Sequence, residues 1–165
     1  MRYHDITKDD MKNGTGLRAV LWLSGCSHEC KGCQNPITWD PDGGLIFDEA
    51  SRSELYDILS REYIDGITLS GGDPLYEGNR EEVLKLVKDI RNNFPDKSVW
   101  IYTGYDYEKV CNLEIMDYTD VLVDGPYIEE QRDVSLRWIG SANQRVIDVG
   151  SSKEEGKIVL YEKNC

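Results

Sequence analysis

Short apolar runs alternate along the chain with longer stretches whose apolar residues recur at helical spacing. Four runs rich in β-branched and aromatic residues predict strands, at residues 17–23, 64–69, 98–102 and 120–123. The amphipathic stretches between them predict helices, at residues 48–63, 80–92 and 106–115. Near the C-terminus, two segments separated by glycines predict a β-hairpin, residues 145–149 against residues 157–161.

Strands that alternate with helices predict an α/β fold with a mainly parallel sheet. The 165 residues fit a single domain with one core, residues 1–165. A complete eightfold βα barrel usually needs roughly 250 residues, so we expect an incomplete barrel or an open sheet. Polar, glycine-rich loops follow each predicted strand, and ligands are therefore expected at the carboxyl ends of the strands.

The composition is typical of a globular protein in water, with 39% hydrophobic and 30% charged residues. No apolar run approaches the roughly 20 residues that a membrane helix needs, and the polar N-terminus does not resemble a secretory signal. We therefore expect a cytoplasmic protein that does not engage a membrane. The formal net charge of −12 disfavours binding to the phosphates of nucleic acid.

Three of the five cysteines, Cys26, Cys30 and Cys33, lie within eight residues, directly after the first predicted strand. In a reducing compartment, clustered cysteines more often bind metal or do redox chemistry than form disulfides. Iron–sulfur clusters prefer thiolate ligands, and three thiolates leave one iron of a four-iron cluster open. The alternative is zinc, with a fourth ligand among His28, His4, Cys111 and Cys165. Structural zinc sites usually show two ligand pairs, so the single group favours iron–sulfur.

Small residues also follow the other predicted strands, as in Ser70-Gly71-Gly72-Asp73-Pro74 and in Thr103-Gly104-Tyr105. Two adjacent glycines let backbone N–H and C=O groups come close to a ligand, although an ordinary strand-to-helix turn has the same composition. No Ser-His-Asp grouping indicates hydrolysis. His4 and His28 are interpreted most simply as polar surface residues.

Together, Cys26-x3-Cys30-x2-Cys33 and Ser70-Gly-Gly-Asp-Pro74 resemble the motifs of the radical S-adenosylmethionine superfamily. Within it, the chain resembles the small activases of anaerobic ribonucleoside-triphosphate reductases. The matching segments are residues 13–16, 24–35, 69–75, 102–105, 121–125 and 140–144. The chain departs from many superfamily members at Gly32, where an aromatic residue is common, and at Gln34, where relatives often carry Tyr. Asp73 replaces the Glu that is common elsewhere.

The resemblance implies a partial radical-SAM βα barrel that holds one [4Fe-4S] cluster and binds S-adenosyl-L-methionine (SAM). The implied cluster ligands are Cys26, Cys30 and Cys33. The implied cofactor-binding residues are Gly32, Cys33, Gln34, Gly71, Gly72 and Asp73. Gly71, Gly72 and Asp73 would lie at the methionine end of SAM, and Gly32 and Gln34 towards the adenosyl portion. No side-chain acid or base is required, because the cofactor performs the bond cleavage.

The implied activity is activation of the anaerobic (class III) reductase. A flavodoxin-like or other donor supplies an electron that cleaves SAM, and the resulting 5′-deoxyadenosyl radical takes a hydrogen atom from a glycine of the reductase. The chain would be an oxidoreductase of the [formate-C-acetyltransferase]-activating type, with the reductase as its protein partner. Two alternatives stay open: a radical-SAM enzyme with a small-molecule substrate, like the deazaguanine synthases, and a non-catalytic metal-binding module. The sequence assigns no role to Cys111 or Cys165.

Overall fold

The computed structural model describes residues 1–162, which form a seven-stranded mixed sheet with helices packed against it. The strands are β1 Arg2–Asp10, β2 Arg18–Leu23, β3 Leu45–Ile46, β4 Gly66–Gly71, β5 Ser98–Tyr102, β6 Val121–Asp124 and β7 Arg145–Asp148. The helices are α1 Glu49–Leu59, α2 Arg80–Asn93, α3 Tyr107–Val110 and α4 Val149–Glu155. Short 3-10 turns lie at Pro36–Thr38, Glu114–Asp117 and Glu129–Gln131. Cys165 lies outside the described residues.

The strand order in the sheet is β3-β1-β2-β4-β5-β6-β7. The four central strands β2, β4, β5 and β6 are parallel, whereas β1, β3 and β7 pair antiparallel with their neighbours. The predicted α/β class is therefore confirmed, but the sheet is only partly parallel. It is also not closed, because β3 and β7 form its two edges. None of the helices in residues 1–162 is long and apolar enough to cross a membrane.

Each central strand sends alternate side chains to opposite faces of the sheet, as the pleat requires. On one face, residues such as Ile67, Leu69 and Ile101 pack with buried residues of α1 and α2 in the main core. On the other face, Trp100 and neighbouring valines of β6 form a second, smaller cluster. This second face carries the side chains beneath the cavity described below.

The helices begin where polar side chains satisfy their free N–H groups. Asp48 accepts a hydrogen bond from the Ser51 N–H at 3.0 Å, while the Ser51 hydroxyl accepts from the Asp48 N–H at 2.8 Å, forming a capping box for α1. Helix α1 ends at Leu59, four residues before the predicted end, and α2 agrees with its prediction to within one residue. The predicted helix at residues 106–115 is divided into α3 and a 3-10 turn.

The predicted C-terminal β-hairpin is formed only in part: its first strand is β7, but a helix replaces the turn and the second segment is not a strand. Helix α4 follows β7 at once because the Asp148 side chain accepts from the Ser151 N–H at 2.8 Å and caps it. Gly156, at φ 66°, ends this helix in the left-handed region. The returning segment then makes one isolated bridge, between Leu160 and Ile147, and forms no strand there.

Candidate functional site

A cavity of about 480 Å³ lies at the carboxyl ends of the four parallel strands. The loops after β2, β4, β5 and β6 all contribute to its wall, as expected from the position of the polar loops in the sequence. This volume is in the range of small-molecule sites, roughly 300–1,000 Å³. The cavity is open on one side, and Val134 on its rim is 86% exposed.

Most of the residues predicted to hold the cluster and the cofactor line this one cavity. They are Cys26, Cys30, Cys33, Gln34, Gly71, Gly72 and Asp73. Gly32 does not line it, and a Cβ at that position would lie 2.8 Å from the carboxyl carbon of Glu129. The structure thus gives Gly32 a packing contact, and its approach to an adenosyl group stays a prediction.

Backbone hydrogen bonds hold both ends of the cysteine loop. At its start, the Gly25 N–H donates to the Thr38 carbonyl at 2.8 Å and the Cys26 N–H donates to the Trp39 carbonyl at 3.1 Å. At its end, the Asn35 N–H donates to the Cys33 Sγ at 3.4 Å. An N–H group directed at a ligand sulfur stabilises its thiolate form and tunes a bound cluster.

The two glycines after β4 allow the next loop to lie directly against the cysteine loop. A Cβ on Gly72 would lie 2.5 Å from the Gly25 carbonyl oxygen and 2.8 Å from that of Thr38. The Gly72 N–H donates to the Leu23 carbonyl at 2.7 Å, and the Asp73 N–H donates to the Gly25 carbonyl at 2.8 Å. The Gly-Gly pair therefore joins the two loops that carry the predicted ligands.

The three loop cysteines are free thiols in this structure. Burial, with a smaller contribution from the nearby Asp73, raises the pKa of the Cys26 thiol to about 11, so this thiol would lose its proton when it binds metal. Within residues 1–162, no three His, Cys, Asp or Glu side chains converge as a single metal ion would require. A four-iron cluster does not require such convergence, because each thiolate binds a different iron.

Within residues 1–162, His28 is the one candidate for a fourth zinc ligand that lines the cavity beside the cysteines, and its ring is hydrogen-bonded to Asp73. The expectation that His28 is a surface residue was wrong: its side chain is 18% exposed, and Nε2 donates to Asp73 at 2.8 Å. Cys111 and His4 are not part of the cavity wall. The surroundings of Cys26, Cys30 and Cys33 therefore favour a cluster over a four-coordinate zinc site.

The Asp73 carboxylate is 1% exposed and accepts four hydrogen bonds from protein groups. A carboxylate has about four acceptor positions in all, so little capacity is left for a ligand. The direct contact between Asp73 and the methionine end of SAM stays a prediction.

Tyr102 is a cavity residue that the sequence interpretation missed. Its hydroxyl is buried and has no hydrogen-bond partner among residues 1–162, and burial raises its pKa well above the ordinary value. A buried polar group without a partner is costly, so this hydroxyl is suited to a polar ligand. The alternation along β5, which puts Trp100 and Tyr102 on one face, is the signal that could have identified it.

The donor set fits an iron–sulfur cluster and a polar small-molecule cofactor. Cys26, Cys30 and Cys33 can supply three thiolates. The cavity beside them contains backbone polar groups and the Tyr102 hydroxyl, which has no partner within residues 1–162. A family profile described as a 4Fe-4S single cluster domain matches residues 12–147. The cysteine loop and this match define a single-cluster iron–sulfur protein.

Curated relatives share most of the length of this chain and carry one name, anaerobic ribonucleoside-triphosphate reductase-activating protein. The relative from Enterobacteria phage T4 is 44% identical over 146 residues, covering 88% of this chain and 93% of its own length. That from Haemophilus influenzae is 41% identical over 148 residues, covering 87% and 96%. That from Escherichia coli K12 is 41% identical over 150 residues, covering 88% and 97%. The chain therefore belongs to the family of anaerobic ribonucleoside-triphosphate reductase-activating proteins.

Proposed function

We propose that this chain activates an anaerobic ribonucleoside-triphosphate reductase by radical-SAM chemistry. The observation that carries the proposal is the meeting of the three-cysteine loop and the Gly71-Gly72 loop in one cavity at the carboxyl ends of the parallel strands. The names of the relatives support the reductase as the partner. When bound, a reduced [4Fe-4S] cluster supplies the electron that splits SAM into methionine and a 5′-deoxyadenosyl radical, which takes a hydrogen atom from a glycine of the reductase.

The chain's own residues bind and orient the reacting groups. Cys26, Cys30 and Cys33 hold the cluster and leave one iron without a protein ligand. Gly71, Gly72 and Gln34 line the cavity; the backbone groups of the two glycines would bind the methionine end of SAM, and Gln34 would lie towards its adenosyl portion. The Tyr102 hydroxyl, which lacks a protein partner within residues 1–162, would donate a hydrogen bond to the cofactor. No side chain need act as a general acid or base, since the cofactor supplies the chemistry.

The open sheet suits a macromolecular substrate. We propose that the parallel strands β2, β4, β5 and β6 form part of a βα barrel, with the edges β3 and β7 leaving it incomplete. A glycine in a protein loop can enter such a cavity from the open side, where Val134 is exposed. Clustered free cysteines are typical of a reducing compartment, so we place the reaction in the cytoplasm, with a flavodoxin-like protein or another donor.

The proposed function is tested by anaerobic incubation of the reconstituted protein with the reductase, SAM and a reductant. We expect a glycyl-radical doublet on the reductase by electron paramagnetic resonance (EPR) and formation of 5′-deoxyadenosine. Cys30→Ala should abolish both products, because it removes a cluster ligand. Cys111→Ala is the matched control and should retain both, since Cys111 lies outside the cavity wall.

Three other outcomes would contradict the proposal. Turnover of a small molecule in the absence of the reductase would indicate a radical-SAM enzyme of the deazaguanine synthase kind. About one zinc per chain, with no iron or sulfide after anaerobic purification, would indicate a non-catalytic metal-binding module. A fully loaded protein that gives no radical on the reductase would also refute the proposed activity.

A further inference from the structure

The ring of His28, midway between Cys26 and Cys30, lies in a socket formed by the loops after β4 and β5. We call this set of residues the His28 socket: Asp73, Thr103, Gly104 and Tyr105. Nε2 of His28 donates to Oδ2 of Asp73 at 2.8 Å. The rings of His28 and Tyr105 meet edge to face, with centroids 4.5 Å apart and planes at 73°. One residue of the cysteine loop therefore contacts the loops of two neighbouring strands.

The carboxylate at the base of the His28 socket is fixed in position. Besides the His28 ring, Oδ2 of Asp73 accepts from the Thr103 hydroxyl at 2.9 Å and from the Gly104 N–H at 3.0 Å. Oδ1 accepts from the Leu75 N–H at 2.8 Å. Buried hydrogen-bond networks of this kind are rigid when every member is satisfied. The His28 ring thus binds to an immobile group.

The socket has room for the ring because residue 104 is a glycine. A Cβ on Gly104 would lie 2.5 Å from Cδ2 of His28 and 2.7 Å from its Cγ. These distances are far inside van der Waals contact, about 3.5–4.0 Å between carbon atoms. An alanine at this position must therefore displace the ring while leaving all the hydrogen-bonding groups in the chain.

The backbone beside His28 is held in an unfavourable conformation. Glu29 has φ 45°, in the left-handed region that disfavours residues other than glycine. Such strain persists only where the surroundings fix the chain. Through its ring, His28 therefore links the cysteine loop to the loops that follow β4 and β5.

We propose that His28 is a positioning residue: insertion of its ring into the His28 socket holds residues 26–33 in the conformation that binds the cluster. This inference rests on the proposed function, since it requires a cluster on this loop. It gives Thr103-Gly104-Tyr105 a role in supporting the cysteine loop. It also assigns the Asp73 carboxylate to loop positioning instead of direct contact with SAM.

The test compares the stability of the bound cluster in variants of full-length protein. Iron and sulfide are quantified after anaerobic reconstitution, and the rate of iron release to a chelator is then measured. His28→Leu and Gly104→Ala should release iron about tenfold faster than the wild type, because a hydrogen bond to a charged group is lost. His28→Gln should stay within about threefold, since its side-chain N–H lies the same number of bonds from Cα as Nε2.

Two comparisons separate positioning from a general loss of stability. His4→Leu changes the other histidine of the chain and should release iron at the wild-type rate. The second comparison uses a double variant, His28→Ala/Gly104→Ala. Because His28→Ala removes the ring that a Cβ at position 104 would contact, the double variant should release iron at the same rate as His28→Ala alone. Additive effects of these two changes would contradict the contact between ring and glycine.

The outcomes also separate this inference from the proposed function. A wild-type protein that takes up no iron and sulfide would overturn both. If the wild type is fully loaded and the His28→Leu and Gly104→Ala variants release iron at the wild-type rate, the positioning role alone would be overturned. If His28→Leu fails to fold, Gly104→Ala and His28→Gln still decide the question. Gly104→Ala retains the backbone N–H that donates to Asp73, and His28→Gln retains a side-chain donor.

Discussion

Arg18 is a buried cation beneath the cavity, and its replacement by methionine tests the packing on which the site rests. The guanidinium makes five hydrogen bonds of 2.6–3.2 Å, to the Thr68 and Ser98 hydroxyls and to the carbonyls of Thr15, Ile67 and Ser98. It also lies over the Trp100 ring, 5.3 Å from the centroid. No carboxylate in residues 1–162 lies within ion-pair distance.

Two opposing effects set the size of the change in Arg18→Met. Burial lowers the pKa of Arg18 to about 10, so the side chain stays cationic at neutral pH. Each buried acceptor left unsatisfied costs about 1–3 kcal/mol, and the three carbonyls alone give roughly 3–9 kcal/mol. Removing a buried charge recovers several kcal/mol of desolvation. The loss of hydrogen bonds should outweigh the recovered desolvation energy, and we expect the free energy of unfolding to fall by roughly 2–4 kcal/mol.

Urea unfolding of the cluster-free protein at pH 7, without oxygen, measures this change. The midpoint should fall while the slope with urea stays constant, since the fold is retained. Arg52→Met is the matched control: Arg52 is partly exposed, pairs with Asp89 at 3.0 Å, and should lose less than about 1 kcal/mol. An Arg18→Met protein as stable as the wild type would refute the reasoning, because the buried hydrogen bonds would then contribute nothing net.

Two further changes test the cavity wall. Gly72→Ala should destabilise the protein by about 1–3 kcal/mol and reduce iron uptake, because its Cβ would lie 2.5 Å from a backbone oxygen. Gly150→Ala is the control: the nearest atom to its Cβ would lie at 3.7 Å, so the change should be neutral or slightly stabilising. Equal losses of stability for the Gly72→Ala and Gly150→Ala proteins in urea unfolding would contradict this. Tyr102→Phe should weaken SAM binding about twofold to tenfold by calorimetry. Tyr56→Phe is the control, because it removes a buried hydroxyl that also has no partner within residues 1–162 but lies outside the cavity wall. Equal SAM affinities of the Tyr102→Phe and Tyr56→Phe proteins would refute the Tyr102 contact.

The central strands could be predicted because their apolar runs are continuous and bounded by glycines or polar turns. Strand β1 could not, since only Ile6 of its nine residues is buried, and the segment therefore looks polar throughout. Strand β3 has only two residues, both exposed. At the C-terminus, Gly150 and Gly156 indicated a hairpin turn, but the cap at Asp148 starts a helix that includes Gly150.

The cysteine loop and the Gly71-Gly72 pair could be identified because each is contiguous in the sequence. The environment of His28 could not, since its partner Asp73 lies 45 residues away. The same holds for Arg18, whose acceptor Ser98 lies 80 residues away. A sequence pattern describes neighbours along the chain, whereas these polar contacts depend on which loops the sheet brings together.

The most direct test of the central claim is EPR of the reduced, reconstituted protein before and after addition of SAM, with iron and sulfide measured on the same sample. If Cys26, Cys30 and Cys33 hold a cluster with one open iron, the sample should contain about four iron and four sulfide per chain. SAM should then change the cluster signal, because it binds at that iron. Zinc in place of iron, or a full cluster whose signal SAM leaves unchanged, would contradict the account.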